Sequence, residues 1–337
     1  MYLIQFGNYR MYDNARKTWL AARQNGINAV MRYDGEVFRV VSKSTTVVNS
    51  ELQRQVEPFL NFLQKRFETK IGKENYCKYY LSYSGGKNSH FLYWFIKEYL
   101  HDEDIEIVGV NTSFEIPEIR DRILKYSDTV LHPAKDRWEI KEKYGIPCYS
   151  KQQDEYIYRY QRGNRSENTM RAINGENVFF NLNKQAREKL LSGELHKVSN
   201  RCCTYNKEVP MQKYSKATGK NAIMGVRKSE SKTRNAKYNQ CLKKNGDFTP
   251  IYDFSDKLMD DIYEAYDIEI PSCYDYLTRT GCAGCPYGKN VALELSLLPR
   301  LQQMNAIKYF KESYDAKGIH YRGLQTELYT YPLETKT

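Results

Sequence analysis

The stretch Tyr83-Ser84-Gly85-Gly86-Lys87-Asn88-Ser89-His90, "YSGGKNSH", sits between the apolar runs "YYLS" and "FLYWFI". A strand-like run that passes through two glycines straight into a hydrophobic helix decides the fold. Glycine takes backbone angles closed to other residues and lets a ligand come close to the main chain. Such a turn at a helix start points several N–H groups outward, together with the positive end of the helix dipole. The segment reads as a phosphate cradle. Ser84, Gly85, Gly86 and the amides after them form a nest, Lys87 adds a positive charge, and Ser89 adds a hydroxyl. An ordinary strand-to-helix turn is the plainer alternative.

The surrounding sequence favours the cradle. From about residue 77, strands and helices alternate: "KYYLSYS", then "NSHFLYWFIKEYL", "IEIVGVNT", "PEIRDRILKYS" and "TVLHPA". This alternation predicts an α/β fold with a doubly wound parallel sheet covered on both faces. Ligands of such sheets bind beyond the carboxyl ends of the strands, where Ser84 and Thr112 fall.

The chain divides by pattern into four stretches. Residues 1–48 read as a βαββ module: strand "YLIQF", helix "NARKTWLAARQNG", and a hairpin "NAVMRYDGEVFRVVS" turning on Asp34-Gly35. Residues 49–76 hold a linker helix with Leu52, Val56, Phe59, Leu60 and Leu63 at helical spacing, and Pro58 predicts a kink or an earlier start. Residues 77–270 form the nucleotide-binding domain, and 271–337 a helical cysteine-bearing region.

The 337 residues carry 52 Lys plus Arg against 41 Asp plus Glu, a net charge of +11 that favours polyanionic partners such as nucleic acid. Thirty tyrosines offer stacking surfaces, and "SKQQDEYIYRYQRGNRSENTMR" interleaves them with basic residues. No apolar run reaches membrane-spanning length, and the N-terminal stretch has no basic leader with an apolar core. The expected location is the cytoplasm. There, eight cysteines suggest metal or redox chemistry more than disulfides.

"SGGKNS" at 84–89 resembles the PP-loop of the ATP pyrophosphatases (adenine nucleotide alpha hydrolase-like proteins), usually written Ser-Gly-Gly-(any)-Asp-Ser. "NTSFEIPEIRDRI" resembles the second-strand motif of the phosphoadenosine phosphosulfate (PAPS) reductase family, Asp-Thr-Gly-x-x-x-Pro-Glu. "IMGVRKSESKTR" resembles that family's Gly-x-Arg-x-x-Glu-Ser-x-x-Arg segment. The resemblance implies adenine-nucleotide contacts from Ser84, Gly85, Gly86, Lys87, Asn88, Ser89, Asn111, Thr112, Gly225, Arg227, Glu230 and Ser231. It implies catalytic charge from Lys87, Arg227 and Arg234, since guanidinium grips phosphate with paired hydrogen bonds. Asn88 and Asn111 stand where the family has Asp, a departure that bears on Mg²⁺ more than on phosphate. Residues 1–48 resemble the SPOR domain, a module that binds glycan strands.

Cys202-Cys203 and Cys282-x-x-Cys285 supply four thiols from two paired sites, which suits either zinc or a [4Fe–4S] cluster. A vicinal pair followed by Cys-x-x-Cys resembles the iron–sulfur members of the sulfonucleotide reductases and so implies the cluster, with zinc or unligated thiols as alternatives. Cys77, Cys148, Cys241 and Cys273 stay unassigned.

The resemblance leaves three reactions open. Sulfonucleotide reductases attack adenylyl sulfate or PAPS with a C-terminal cysteine, but no cysteine follows Cys285. The ATP-using branch adenylates an oxygen and lets sulfur displace AMP, as in DNA phosphorothioation and tRNA thiolation. It implies ATP, Mg²⁺, a DNA or tRNA substrate, and a sulfur donor such as a cysteine desulfurase. A non-catalytic nucleotide and nucleic-acid binder is the third.

Overall fold

The computed structural model describes residues 4–9, 29–33, 38–42 and 50–321, except 178–180, 231–233, 235–238 and 279. The first three segments are strands β1 (Ile4–Tyr9), β2 (Ala29–Tyr33) and β3 (Phe38–Ser42). They make an antiparallel sheet of order β1-β3-β2, with a register irregularity between Gln5 and Gly7. The expected helix of this module and the Asp34-Gly35 turn lie outside the described residues.

Helix α1 spans Ser50–Lys70 and runs through Pro58. Proline removes one helical hydrogen bond, but Pro58 is exposed, so water can serve the freed carbonyl. Burial of Val56, Leu60, Leu63 and Phe67 holds the helix down, whereas Phe59 from the expected apolar set is 46% exposed. Arg66, on the buried side, forks onto both oxygens of Asp253 at 2.7 and 2.8 Å.

The second sheet is the one that the alternation predicts. Its strands are β4 (Tyr79–Tyr83), β5 (Glu106–Val110), β6 (Thr129–Leu131) and β7 (Asn221–Ile223), in the order β6-β5-β4-β7. Strand β4 pairs in parallel with both β5 and β7. Four of its five residues are buried, as a central parallel strand requires. Helices α2 (Lys87–Trp94) and α3 (Pro117–Tyr126) follow β4 and β5. Then come α4 (Arg137–Tyr144), α5 (Lys151–Gln161), α6 (Glu167–Asn174), α7 (Lys184–Leu191) and α8 (Val209–Thr218). Helices α9 (Asp256–Ala265), α10 (Val291–Ser296) and α11 (Arg300–Lys317) complete the described helices named here. No helix among the described residues is long and apolar enough to cross a membrane.

The chain forms two compact units that interleave along the sequence. Unit 1 comprises 1–109, 122–129 and 218–280; unit 2 comprises 110–121, 130–217 and 281–337. In unit 1, Phe67 packs against Phe95 and Phe248 at 5.5 and 5.0 Å between ring centres. In unit 2, Ile157, Ile173, Ala186 and Val198 form a core around Cys148. Beneath it Asp154, with no exposed surface, accepts the N–H groups of Cys148 and Tyr149 and the hydroxyl of Tyr287. Burial pushes this carboxyl up to about 6.

Candidate nucleotide loop and candidate metal centre

The loop at the end of β4 belongs to unit 1. Gly85 has φ +71°, a left-handed angle that a side chain would strain, and Gly86 is the residue before α2. Ser89 Oγ reaches back to the Gly86 carbonyl at 3.0 Å, accepts from the Ser84 N–H at 3.2 Å and meets Ser84 Oγ at 3.1 Å. These bonds close a small ring over the helix start and hold the shape of the loop. Tyr274 and Tyr263 pin Lys87 through its backbone, accepting from its N–H at 3.1 Å and donating to its carbonyl at 2.5 Å. The Lys87 ammonium stands 3.5 Å from Asp260.

The segment after β7 meets this loop within the same unit. A side chain on Gly225 would start 2.8 Å from the Asn88 carbonyl, so the residue must be glycine for the two backbones to touch. Arg227 donates from Nε to Asn88 Oδ1 at 3.1 Å, and its Nη1 pairs with Asp256 at 2.7 Å. Asn88 Nδ2 in turn donates to Glu230 at 3.2 Å, and Glu230 accepts the Arg227 N–H and pairs with Arg234. Asn88 therefore bridges a cation and a carboxylate. An aspartate could accept from Arg227, but it has no proton for Glu230. Gly225, Arg227, Glu230 and Arg234 thus gather at the loop; Ser231 lies outside the described residues. The carboxylates of Asp256 and Asp260, four apart on α9, were not legible as partners of the loop.

Asn111 and Thr112 fall in unit 2. Asn111 Oδ1 accepts the Ser113 N–H at 3.0 Å, supporting a Ser113 φ of +61°. Thr112 donates its hydroxyl and N–H to the two oxygens of Glu115 at 2.6 and 3.1 Å. Its hydroxyl also lies 3.9 Å from Cys282 Sγ. In this structure Thr112 is a neighbour of the thiols.

All four candidate metal ligands belong to unit 2, and all eight cysteines of the chain are free. Cys202 and Cys203 sit on a helical turn whose ladder widens at Thr204–Glu208, the kind of local π-bulge found at functional sites. Cys282 and Cys285 sit on a tight turn in which the Cys285 N–H bonds the Cys282 carbonyl at 3.2 Å. Burial is the main cause that raises Cys202, to about 12, and raises Cys282 and Cys285. Cys282 and Cys203 add to the rise at both Cys202 and Cys285, so the thiols from the two segments feel one another.

Two side chains that sequence reasoning missed complete this neighbourhood. Asn206 donates to Cys202 Sγ at 3.1 Å. The half-buried Lys207 ammonium is held protonated, above all by Cys282 and also by Glu115. Each stands four residues after a member of the Cys202-Cys203 pair, the one-turn spacing that was the available signal.

Among the described residues, no three His, Cys, Asp or Glu side chains stand at metal-binding spacing. The donor set nonetheless fits a thiophilic centre by its chemistry. Four thiols, Cys202 buried and Cys203, Cys282 and Cys285 partly so, beside an ammonium and an amide donor, match what a [4Fe–4S] cluster or zinc requires.

Residues 177–287, about a third of the chain, match the model of the phosphoadenosine phosphosulfate reductase domain. No curated protein matches the sequence. Among solved structures, the chain is similar to the U34-tRNA thiolase NcsA from Methanococcus maripaludis with its [4Fe-4S] cluster. That likeness has 14% identity and a TM-score of 0.34, and covers 83% of each chain. The segment matched by that domain model, 177–287, includes Cys202, Cys203, Cys282 and Cys285.

Proposed function

We propose that the protein is an ATP-using sulfur transferase acting on nucleic acid, with a [4Fe–4S] cluster on Cys202, Cys203, Cys282 and Cys285. The observation that carries this reading is the four-thiol set with its amide and ammonium neighbours, inside the segment that matches the reductase domain model. When bound, the cluster supplies Lewis-acidic iron with affinity for sulfide-level sulfur. The chain's own residues do the rest. The Ser84–Ser89 loop presents N–H groups to phosphate oxygens, and Arg227, with Arg234 nearby, offsets the charge that develops there.

The step balances without a redox partner. An acceptor carbonyl oxygen attacks the α-phosphorus of ATP, the α–β bridge breaks, and pyrophosphate leaves. A sulfide-level donor then attacks the activated carbon, and AMP departs with the original oxygen while the donor's protons pass to solvent. Mg²⁺ would accompany the ATP.

The family match favours a second reading, reduction of adenylyl sulfate or PAPS. Both are tested with the purified protein supplied in parallel with ATP plus sulfide plus RNA or DNA, and with adenylyl sulfate plus thioredoxin. Pyrophosphate that rises with nucleic acid supports transfer; sulfite from adenylyl sulfate supports reduction instead. A location in the cytoplasm belongs to the same proposal, and so does a cysteine desulfurase as the source of the sulfur, provided that a dithiol reduces its persulfide to sulfide and leaves as the disulfide before the transfer step.

A further inference from the structure

We propose that helix α4 and a cavity at its start form the acceptor site, taking one unpaired nucleobase of a single-stranded or looped nucleic acid. This rests on the nucleic-acid reading above and places its contact surface on a helix outside the tyrosine-rich 151–171 stretch.

The cavity lies wholly within unit 2 and measures about 250 Å³; Thr112, Phe114, Pro133, Lys135, Arg137 and Asn206 are among its lining residues. That is below the roughly 300–1,000 Å³ of sites for drug-sized ligands, so it suits one ring better than a whole nucleotide. Two of its walls touch the candidate metal ligands: Thr112 is 3.9 Å from Cys282 Sγ, and Asn206 is 3.1 Å from Cys202 Sγ. Asn206 is only 2% exposed, and its Oδ1 has no hydrogen-bond partner. An amide or amino N–H on a bound base is the complement to such an acceptor. A group bound here would have its edge beside the thiols.

Cations and aromatic planes surround the cavity, and the one carboxylate in its lining, Asp136, is engaged in capping α4 through the Trp138 and Glu139 N–H groups. The Arg137 guanidinium lies 4.1 Å from the Phe114 ring centre, and Arg137 has no carboxylate partner among the described residues. Next on α4, Trp138 is 40% exposed, with the Lys308 and Lys141 ammonium groups 5.4 and 5.7 Å from its ring. Its edge packs on Tyr309, whose buried hydroxyl lies beside Cys202. On the other side Lys135, paired with Glu139 at 2.5 Å as Lys141 is with Glu312 at 2.8 Å, faces the Tyr205 ring, which stacks on Tyr144 at 5.3 Å. Alternating cations and aromatic planes around a base-sized hole are how proteins hold unpaired nucleotides. By contrast, Tyr156 and Tyr160 of α5 pack against the unit 2 core, which leaves less of their faces for stacking.

Fluorescence anisotropy on the full chain tests this, with one labelled short RNA alone and annealed to its complement. The single strand is expected to bind about tenfold tighter than the duplex. Trp138→Ala and Arg137→Ala are each expected to weaken it about tenfold, because a base–aromatic stack is worth about 1–3 kcal/mol. Trp138→Phe should keep most of the affinity. Lys308→Glu, an exposed change, is expected to cost about fivefold by reversing one phosphate-facing charge, and tests the surface even if the α4 variants fold poorly. Equal binding by wild type, Trp138→Ala and Lys308→Glu, with loss in Arg162→Ala/Arg165→Ala, overturns the α4 site and leaves nucleic-acid binding standing. A wild-type chain that binds neither RNA nor DNA overturns the nucleic-acid reading itself.

Discussion

The Ser84–Ser89 loop and the four-thiol set solve the same problem, holding a reactive group in place, by opposite means. The loop is local: six consecutive residues close on themselves through Ser89, and one neighbouring segment braces them at Gly225 and Arg227. The thiol set is non-local: two paired segments, far apart in sequence, both belong to unit 2, where Thr112 lies 3.9 Å from Cys282 and Lys207 is held protonated chiefly by Cys282. Hydrogen bonds within one segment fix local order, whereas like-charged thiols held near one another need a cation to be tolerated as thiolates. The loop is therefore held by its own hydrogen bonds, whereas the thiol set calls for a bound cation.

Breaking the brace should separate the two regions most sharply. Gly225→Ala places a methyl 2.8 Å from the Asn88 carbonyl, and overpacking of this kind costs about 1–3 kcal/mol. ATP affinity, read by titration calorimetry, is expected to fall about tenfold or more while metal content stays unchanged. Parallel loss of metal would mean the regions are not independent.

A change beneath the thiol unit should do the reverse. Asp154→Asn leaves the N–H groups of Cys148 and Tyr149 facing an amide that can serve only one of them fully. A loss of about 1–3 kcal/mol in denaturant unfolding is expected, with ATP affinity kept.

Asn88→Asp is a smaller and more pointed test. It sets two carboxylates about where Asn88 now donates to Glu230 at 3.2 Å. Restoring the family's residue should therefore weaken ATP binding several-fold, on the order of 1 kcal/mol. Asn88→Asp with Glu230→Gln should recover it. A gain in the single variant would mean that Asp at this position serves Mg²⁺ even here.

The smallest effect is on pH. Burial pushes His90 in unit 1 down to about 3 and His196 in unit 2 to about 4, so each favours folding above the ordinary value of 6.5 and loses that favour on acidification. Asp154, pushed up to about 6, acts oppositely: its contribution is present below 3.8 and lost as pH rises through 6. Between pH 7 and 4, unit 1 should lose stability while unit 2 changes less. Hydrogen exchange of α2 against α5, corrected for intrinsic rates, reads this difference, and His90→Phe should flatten the α2 response.

The same contrast governs what was legible in the sequence. The loop, β4, β5 and their helices could be read because each is a contiguous pattern of burial and turn residues. Gly225 and Arg227 were legible as a motif, but the reason for the glycine, contact with the Asn88 backbone, is tertiary. The cysteines were legible as pairs, whereas Asn206 and Lys207 matter only because one helical turn aligns them with Cys202 and Cys203. Pro58 predicts a break that the buried stripe of α1 overrides. Thr112 reads as a nucleotide contact by its place after β5, whereas its hydrogen bond to Glu115 and its nearness to Cys282 are tertiary and were not legible.

The central claim is that Cys202, Cys203, Cys282 and Cys285 hold one thiophilic centre. Anaerobic purification followed by iron, sulfide and zinc analysis, with an absorption spectrum, tests it on wild type and Cys282→Ser. About four irons and four sulfides per chain are expected, with a broad band at about 400 nm, all lost in the variant. A colourless wild-type chain whose metal content is unchanged by Cys282→Ser would contradict it.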